Sequence, residues 1–450
     1  MRTLIVGHGG RESALAMRMA TDSELHAFVG HENPTILENV ARSGGSYALG
    51  DVTDPAAVAA FARERRIDIA MVSADEPLAA GVVDDLLGAG IRTVGPTRAG
   101  AEIEWNKAFA REVLAEVAPD ASPRLRVARD AQALRSAVAA LAPTPVVVKP
   151  SGLTGGKGVK VMGPHLADHD EALAYGLELL AAGHESVLVE ERVDGAEFTI
   201  QAVSDGRSVV FPPSTYDYPY RFDGDRGPGT GGMGSLTTAE PVLPFMTPEH
   251  YARACEIIAR VITALGERGR RFNGVMNSGF FATADGVKVI EFNARFGDPE
   301  AMNILTLLDG SWTHAMERIC RQELSAEDVP LRPEASVVLY LVSPDYALGG
   351  GEPREFTLDR ATVESAGCHA FFSSAVSIGA DRYRTVGTSR AVALAASAPT
   401  LAQAHERVVS AAAAVPELEW RHDVGDPRYL EDLSRLTRPA AASLADAVGS

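Results

Sequence analysis

Short aliphatic and β-branched runs alternate with stretches of helical apolar spacing through the first hundred residues. Thr3 to Gly7, Ala27 to Gly30, Ile67 to Ser73 and Arg92 to Gly95 read as strands, with a helix starting near Glu12, so residues 1–100 predict a doubly wound α/β domain. Helical spacing returns from Asn106 to Val117. A segment over 122–183 then reads as a lid-like subdomain, its second half rich in helix-forming Ala and Leu. Residues 101–121 and 184–328, dominated by strands and loops from Ser186 to Leu307, form the predicted body. After Pro330 the pattern changes to strands at Ser336 to Val342 and Ala391 to Ala395 and a helix from Leu401 to Val415, a further α/β domain over 329–430. Residues 431–450 read as an Ala-rich tail, and there are no internal repeats.

One predicted strand ends in unusually dense chemistry, Val289-Ile-Glu-Phe-Asn-Ala-Arg-Phe-Gly-Asp-Pro-Glu300. Strand alternation places Ile290 and Phe292 on one face and Glu291, Asn293 and Arg295 on the other. The oxygens of Glu291 and Asn293 suit Mg²⁺, which takes few protein ligands and completes its shell with water and phosphate. Arg295 can grip a phosphate or carboxylate with two parallel hydrogen bonds. A solvated strand end would show the same alternation.

Two further segments carry nucleotide chemistry. Val146-Val-Val-Lys-Pro-Ser-Gly-Leu-Thr-Gly-Gly-Lys-Gly-Val-Lys-Val161 reads as a hairpin with a glycine tip. There Gly155, Gly156 and Gly158 would admit phosphate to backbone N–H groups and Lys149 and Lys157 would supply charge, although a plain turn has the same composition. It is not a P-loop, because Lys157 leads into β-prone residues rather than Ser or Thr and a helix. In Val187-Leu-Val-Glu-Glu-Arg-Val-Asp-Gly-Ala-Glu-Phe-Thr-Ile200 a strand runs through a connector into another strand. Glu190, Glu191 and Val193 there can meet an adenine edge and Glu197 a ribose, or the segment is a solvated acidic turn.

Taken in order, these segments resemble the ATP-grasp superfamily and, within it, the glycinamide ribonucleotide synthetase (phosphoribosylamine-glycine ligase) family. The resemblance runs from Leu4-Ile-Val-Gly-His-Gly-Gly-Arg-Glu12 through Val94-Gly-Pro-Thr97, Asn106-Lys-Ala-Phe109 and Gly227-Pro-Gly-Thr-Gly-Gly-Met-Gly234 to the 289–300 block. It implies an ATP-grasp fold with a mobile lid, and a reaction in which ATP phosphorylates a carboxylate and an amine displaces phosphate to give an amide. ATP and Mg²⁺ would be the cofactors, with Mn²⁺ as the alternative ion. Lys107, Lys149 and Lys157 match phosphate-contacting positions. Arg295, Lys157 and Asp298 lie nearest the chemistry, Asp298 orienting Arg295 or a loop. Gly9, Gly10, Arg11, Glu12, Glu76, Asp217, Arg221, Thr230, Gly231, Gly232, Met233 and Arg295 fall on the substrate side.

Departures from the family pattern collect on that side. His8 and Ser13 alter the N-terminal block, Gly30-His-Glu-Asn-Pro-Thr35 loses a glycine pattern, and Tyr216-Asp-Tyr-Pro-Tyr-Arg221 has fewer cations and more aromatics than usual. Asn277 and Ser278 replace the usual Tyr-Ala. Lost charge-assisted bonds, each worth on the order of 1.5–3 kcal/mol, imply a ligase with a different amine or acid. The alternatives are the purine-pathway ligase itself and a nucleotide-binding regulatory protein without turnover. A formal net charge of −18 argues against nonspecific binding to nucleic acid or anionic membrane. Three distant cysteines and no bilayer-length apolar run predict a cytoplasmic protein, a monomer or small homo-oligomer acting on small-molecule carboxylates and amines.

Overall fold

Leu4, Ile5, Val6, Ile69, Ala70, Met71 and Val72 are all at most 1% exposed, as strands covered on both faces must be. In the computed structural model, which describes residues 1–151 and 158–437, they belong to a five-stranded parallel sheet. Its order is Tyr47–Leu49, Glu24–Val29, Arg2–Val6, Ile69–Val72, Arg92–Val94. The strand order reverses beside Arg2–Val6, so the turn after it, carrying Gly9 and Gly10, opens at the switch point where α/β folds receive ligands.

Leu125–Ala128, Val187–Glu191, Val146–Pro150 and Lys160–Val161 pair antiparallel in that order, backed by the helices Ala131–Leu141 and His169–Ala181. This lid packs around its own apolar cluster, separate from the core shared by the other parts. The expected hairpin is present, with Val147 opposite Val161 and Val148 opposite Lys160. The boundary expected at 183 is corrected: Val187–Glu191 is an inner strand of the lid sheet, and the connector to the body is 192–195.

The body is an antiparallel sheet of Val209–Val210, Ala196–Ser204, Gly274–Thr283 and Gly286–Asn293, packed under the long helix Pro248–Glu267. A second antiparallel sheet joins Tyr216–Asp217 and Gly234–Thr237 to Ala335–Leu341, Val392–Ala398 and Cys368–Phe372. The division expected at 328 therefore does not separate sheets, since two strands from the middle of the chain complete the C-terminal one. The helix Pro427–Thr437 begins before the expected tail, whose remainder lies outside the described residues. Among those residues no helix is long and apolar enough to cross a membrane.

Strict alternation in the Gly286–Asn293 strand is also corrected. A bulge leaves Ile290 without an opposite residue, with Gly279 facing Glu291 and Phe280 facing Val289. Val289 and Phe292 are buried, Ile290 is half-buried and Glu291 is exposed. One extra residue turns Glu291 outward while keeping Val289 and Phe292 in the core.

Candidate active site

The connector 192–195 joins the lid sheet to the body sheet, and the predicted nucleotide residues lie around that junction. Asn106 caps the helix Lys107–Val117 by accepting from the Phe109 N–H at 3.1 Å, which fixes Lys107 in its first turn. A cation there opposes the helix dipole, so its placement calls for another reason. Lys107 Nζ donates to the Pro150 carbonyl at 3.1 Å across the cleft. Burial lowers its pKa, and Glu291 opposes that shift. Glu197, at the start of the body sheet, is exposed, yet protein crowded around its carboxyl and then Glu291 and Asp225 push its pKa up.

Glu190 is placed differently from expectation. It is 3% exposed and accepts from Arg111 at 2.7 and 3.0 Å and from Lys149 at 2.7 Å, so it holds Lys149 rather than facing a ligand. Arg111 also donates to the carbonyls of Val289 and Ile290 at 3.1 and 2.9 Å, satisfying backbone at the bulge just before Glu291. Glu191 is tied to Arg124 by backbone and side chain, and Val193 lies half-buried in the connector. Gly155, Gly156 and Lys157 lie outside the described residues.

Glu291 and Asn293 stand side by side, with Asn293 Nδ2 donating to Glu291 Oε1 at 3.1 Å. An exposed carboxylate and a half-buried amide oxygen make a hard-oxygen edge that fits a cation taking few protein ligands. Arg295 follows, donating to the Phe296 carbonyl at 3.2 Å and pairing with Glu104 at 3.2 Å. Its Nε is buried and has no hydrogen-bond partner among the described residues.

Beyond Arg295 the turn enters a pocket of buried polar atoms. The Gly297 N–H donates to Gln201 Oε1 at 2.9 Å, and Asn277 Nδ2 donates to Glu300 Oε1 at 3.3 Å. Gln201 Nε2, Asn277 Oδ1 and Asp217 Oδ1 have no partner among the described residues. Burial, and then each other's charge for Asp217, raises the carboxyls of Asp217 and Glu300. A Cβ on Gly297 would collide with Glu300, and one on Gly232 would come within 2.5 Å of Asp217 Oδ1. One free donor and two free acceptors close together can meet a small polar ligand.

Several residues predicted on the substrate side are held by partners within the protein. Arg11 and Glu12 are 7% and 2% exposed and pair with each other at 2.7 Å, while Arg11 Nη1 donates to the Phe296 carbonyl at 2.9 Å. Gly10 packs where a Cβ would strike the Tyr340 hydroxyl, and Gly9 donates to Glu12 at 2.8 Å. Asp298 accepts from Tyr340 at 2.6 Å and pairs with Arg390 at 3.2 Å, which with Arg11 outweighs burial and lowers its pKa. Among the described residues its partners are Tyr340, Arg390 and the Arg11 N–H, so it ties the turn to the C-terminal sheet and has no contact with Arg295. Arg390 also donates to the Gly231, Gly232 and Asp298 carbonyls. Thr230 accepts from the Gly232 N–H, closing the same turn, and Met233 is fully buried. Glu76 is exposed, whereas Asp75 is the carboxylate whose charge reaches Arg11 and Glu104.

Arg221 is the clearest correction. It is 1% exposed, pairs with Glu419 at 2.6 Å and donates to the carbonyls of Tyr346 and Pro344. Tyr216 and Tyr218 pack around Tyr429, and only Tyr220 remains half-buried, close enough to Glu197 for that charge to raise its hydroxyl pKa after burial does. Arg221→Ala should lower stability by about 2–3 kcal/mol through lost charged hydrogen bonds, with substrate KM unchanged. Chemical denaturation beside steady-state kinetics checks this; a raised KM at unchanged stability would return Arg221 to the substrate side.

Residues 1–104 match the model of the phosphoribosylglycinamide synthetase N domain, and residues 105–301 that of its ATP-grasp domain. A phosphoribosylamine–glycine ligase of Thermococcus kodakarensis is 40% identical over 440 residues, covering 97% of this chain and 99% of the relative. The chain belongs to the phosphoribosylglycinamide synthetase family. A second member, from Methanothermobacter thermautotrophicus, is 40% identical over 436 residues, covering 96% and 98% of the two chains. The fold is similar to phosphoribosylamine–glycine ligase of Thermotoga maritima, with a TM-score of 0.77, 24% identity and coverage of 94% and 100%. It is also similar to the biotin carboxylase domain of Hydrogenobacter thermophilus 2-oxoglutarate carboxylase, solved with MgADP and bicarbonate, with a TM-score of 0.70, 16% identity and coverage of 93% and 90%. The protein is thus an ATP-grasp enzyme, an ADP-forming carbon–nitrogen ligase that uses ATP with Mg²⁺.

Proposed function

We propose that this protein joins phosphoribosylamine to glycine, the reaction named for its relatives, rather than a different amine or acid. The observation that carries this reading is similarity at 40% identity along 97% of the chain and 99% of a phosphoribosylamine–glycine ligase. Part of the substrate-side departures weighs less beside it, because Tyr216 and Tyr218 are buried and pack against Tyr429. A catalytically silent regulator is not favoured, since the hard-oxygen edge and the cations around it are all present.

In this reading Glu291 and Asn293 hold Mg²⁺, which when bound would neutralise charge on the phosphates. Lys107 and Lys149 face the phosphates from the two walls. Arg295 holds an oxygen of the transferring group through its guanidinium. Asp217, Asn277 and Glu300 receive the ammonium end of glycine, and the close packing at Gly232 and Gly297 leaves no room for a larger residue there. No side chain serves as nucleophile. The protein aligns carboxylate, phosphate and amine and keeps water from an acyl phosphate. The test is coupled ADP release with Mg²⁺-ATP, freshly generated phosphoribosylamine and glycine, beside a panel of other amino acids and amines. Turnover should require both named substrates. Turnover only with another pair would overturn the assignment.

A further inference from the structure

We infer that Glu104 is a positioning residue that aims the Arg295 guanidinium at the reacting groups, an inference that rests on the role of Arg295 proposed above. Glu104 lies at the end of the helix Arg98–Trp105, far from residue 295 in sequence, yet its two carboxylate oxygens divide between consecutive residues of the active-site turn. Oε2 accepts from the Ala294 N–H at 2.8 Å, and Oε1 pairs with Arg295 Nη2 at 3.2 Å. Both side chains are shielded, at 6% exposure for Glu104 and 19% for Arg295. One anion therefore fixes the backbone and the side chain of the turn together.

The surroundings explain why such a grip is required. Arg295 has competing acceptors on two sides: Asn293 Oδ1 at 3.5 Å from Nη2, and the buried Glu300, on which its charge acts. Collapse onto Asn293 would cover an oxygen of the hard-oxygen edge, and collapse onto Glu300 would close the polar pocket. Glu104 holds Nη2 and the Phe296 carbonyl holds Nη1, so the guanidinium is kept off both competitors and its orientation is fixed. The Glu104 helix is followed directly by Asn106, the cap that sets Lys107, so one corner of the chain orients a cation at each end of the transferring group.

The test is a double-mutant cycle in kcat, with MgADP affinity measured by calorimetry on each variant. Glu104→Gln keeps shape but presents an amide N–H where the guanidinium needs an acceptor. It should bind MgADP within about twofold of the parent while kcat falls on the order of 10²-fold, the loss that follows a small misplacement of a reacting group. Added to Arg295→Ala, it should lower kcat no further. Multiplicative losses in the double variant, full turnover in Glu104→Gln, or loss of MgADP binding would each overturn the inference. Full turnover in Arg295→Ala would instead remove Arg295 from the chemistry, and the inference with it. Should the Gln variant fail to fold, Glu104→Asp, which keeps the charge but shortens its reach, is read in the same cycle against the same outcomes.

Discussion

Glu291→Ala should abolish Mg²⁺-dependent ligase turnover, lowering kcat by at least about 10²-fold, while the protein folds as before. The two halves of that expectation have separate causes. Glu291 is exposed, and among the described residues its one side-chain hydrogen bond is the 3.1 Å contact with Asn293, so truncation opens no cavity and strands no buried charge. Surface substitutions of that kind stay within about 0.5 kcal/mol. The catalytic loss arises because charge moving between phosphate and carboxylate must be neutralised by a cation held in place, and Asn293 alone supplies a single neutral oxygen. Thermal denaturation and coupled ADP release, measured over a range of Mg²⁺ concentrations, check both halves. Full activity in the variant would take the metal away from this edge.

What was legible in the sequence divides along the same line between local and distant partners. The 289–300 block could be read because its donors share one strand and period-two spacing puts them together. The hairpin could be read because β-branched residues flank its glycines, and Val147 and Val161 pair across it as that pattern requires. The bulge at Ile290 could not, since it arises from how the strand meets Gly279. Charged motif residues look alike in sequence whether they face a ligand or the core. Arg11, Glu12, Glu190 and Arg221 are of the second kind, each buried against a partner that is adjacent or dozens to hundreds of residues away. Asp75 and Glu76 show the same limit at one residue's resolution, because only the helix start at Asp75 decides which carboxylate turns inward. Glu104, Tyr340 and Arg390 had no motif to mark them, and they became visible only when folding placed them on Arg295 and Asp298.

Glu190→Ala should be the most destabilising single change at the site, by about 3–5 kcal/mol, because it leaves two cations in the interior without their anion. Arg111 is 9% exposed and the Lys149 side chain 15% exposed, so water cannot replace the carboxylate. Burial by itself would raise the Glu190 pKa, but Arg111 and Lys149 outweigh it and hold the carboxyl at about 2. The folded pKa thus lies below the unfolded one, near 4.5. The stabilisation from this group is present above pH 4.5 and is lost as pH falls from 4.5 towards 2. Urea denaturation across that window should give a parent protein whose stability drops steeply with acid, and an Ala variant lacking this group's share of the slope. The functional consequence follows from the same contacts. Arg111 bridges Glu190 in the lid sheet to the carbonyls of Val289 and Ile290, and Glu190 holds Lys149, the cation proposed above to face the phosphates. The variant should therefore bind MgADP more weakly even where it remains folded. A loss of under about 1 kcal/mol, with nucleotide affinity intact, would mean that the junction between lid and body is held by other contacts.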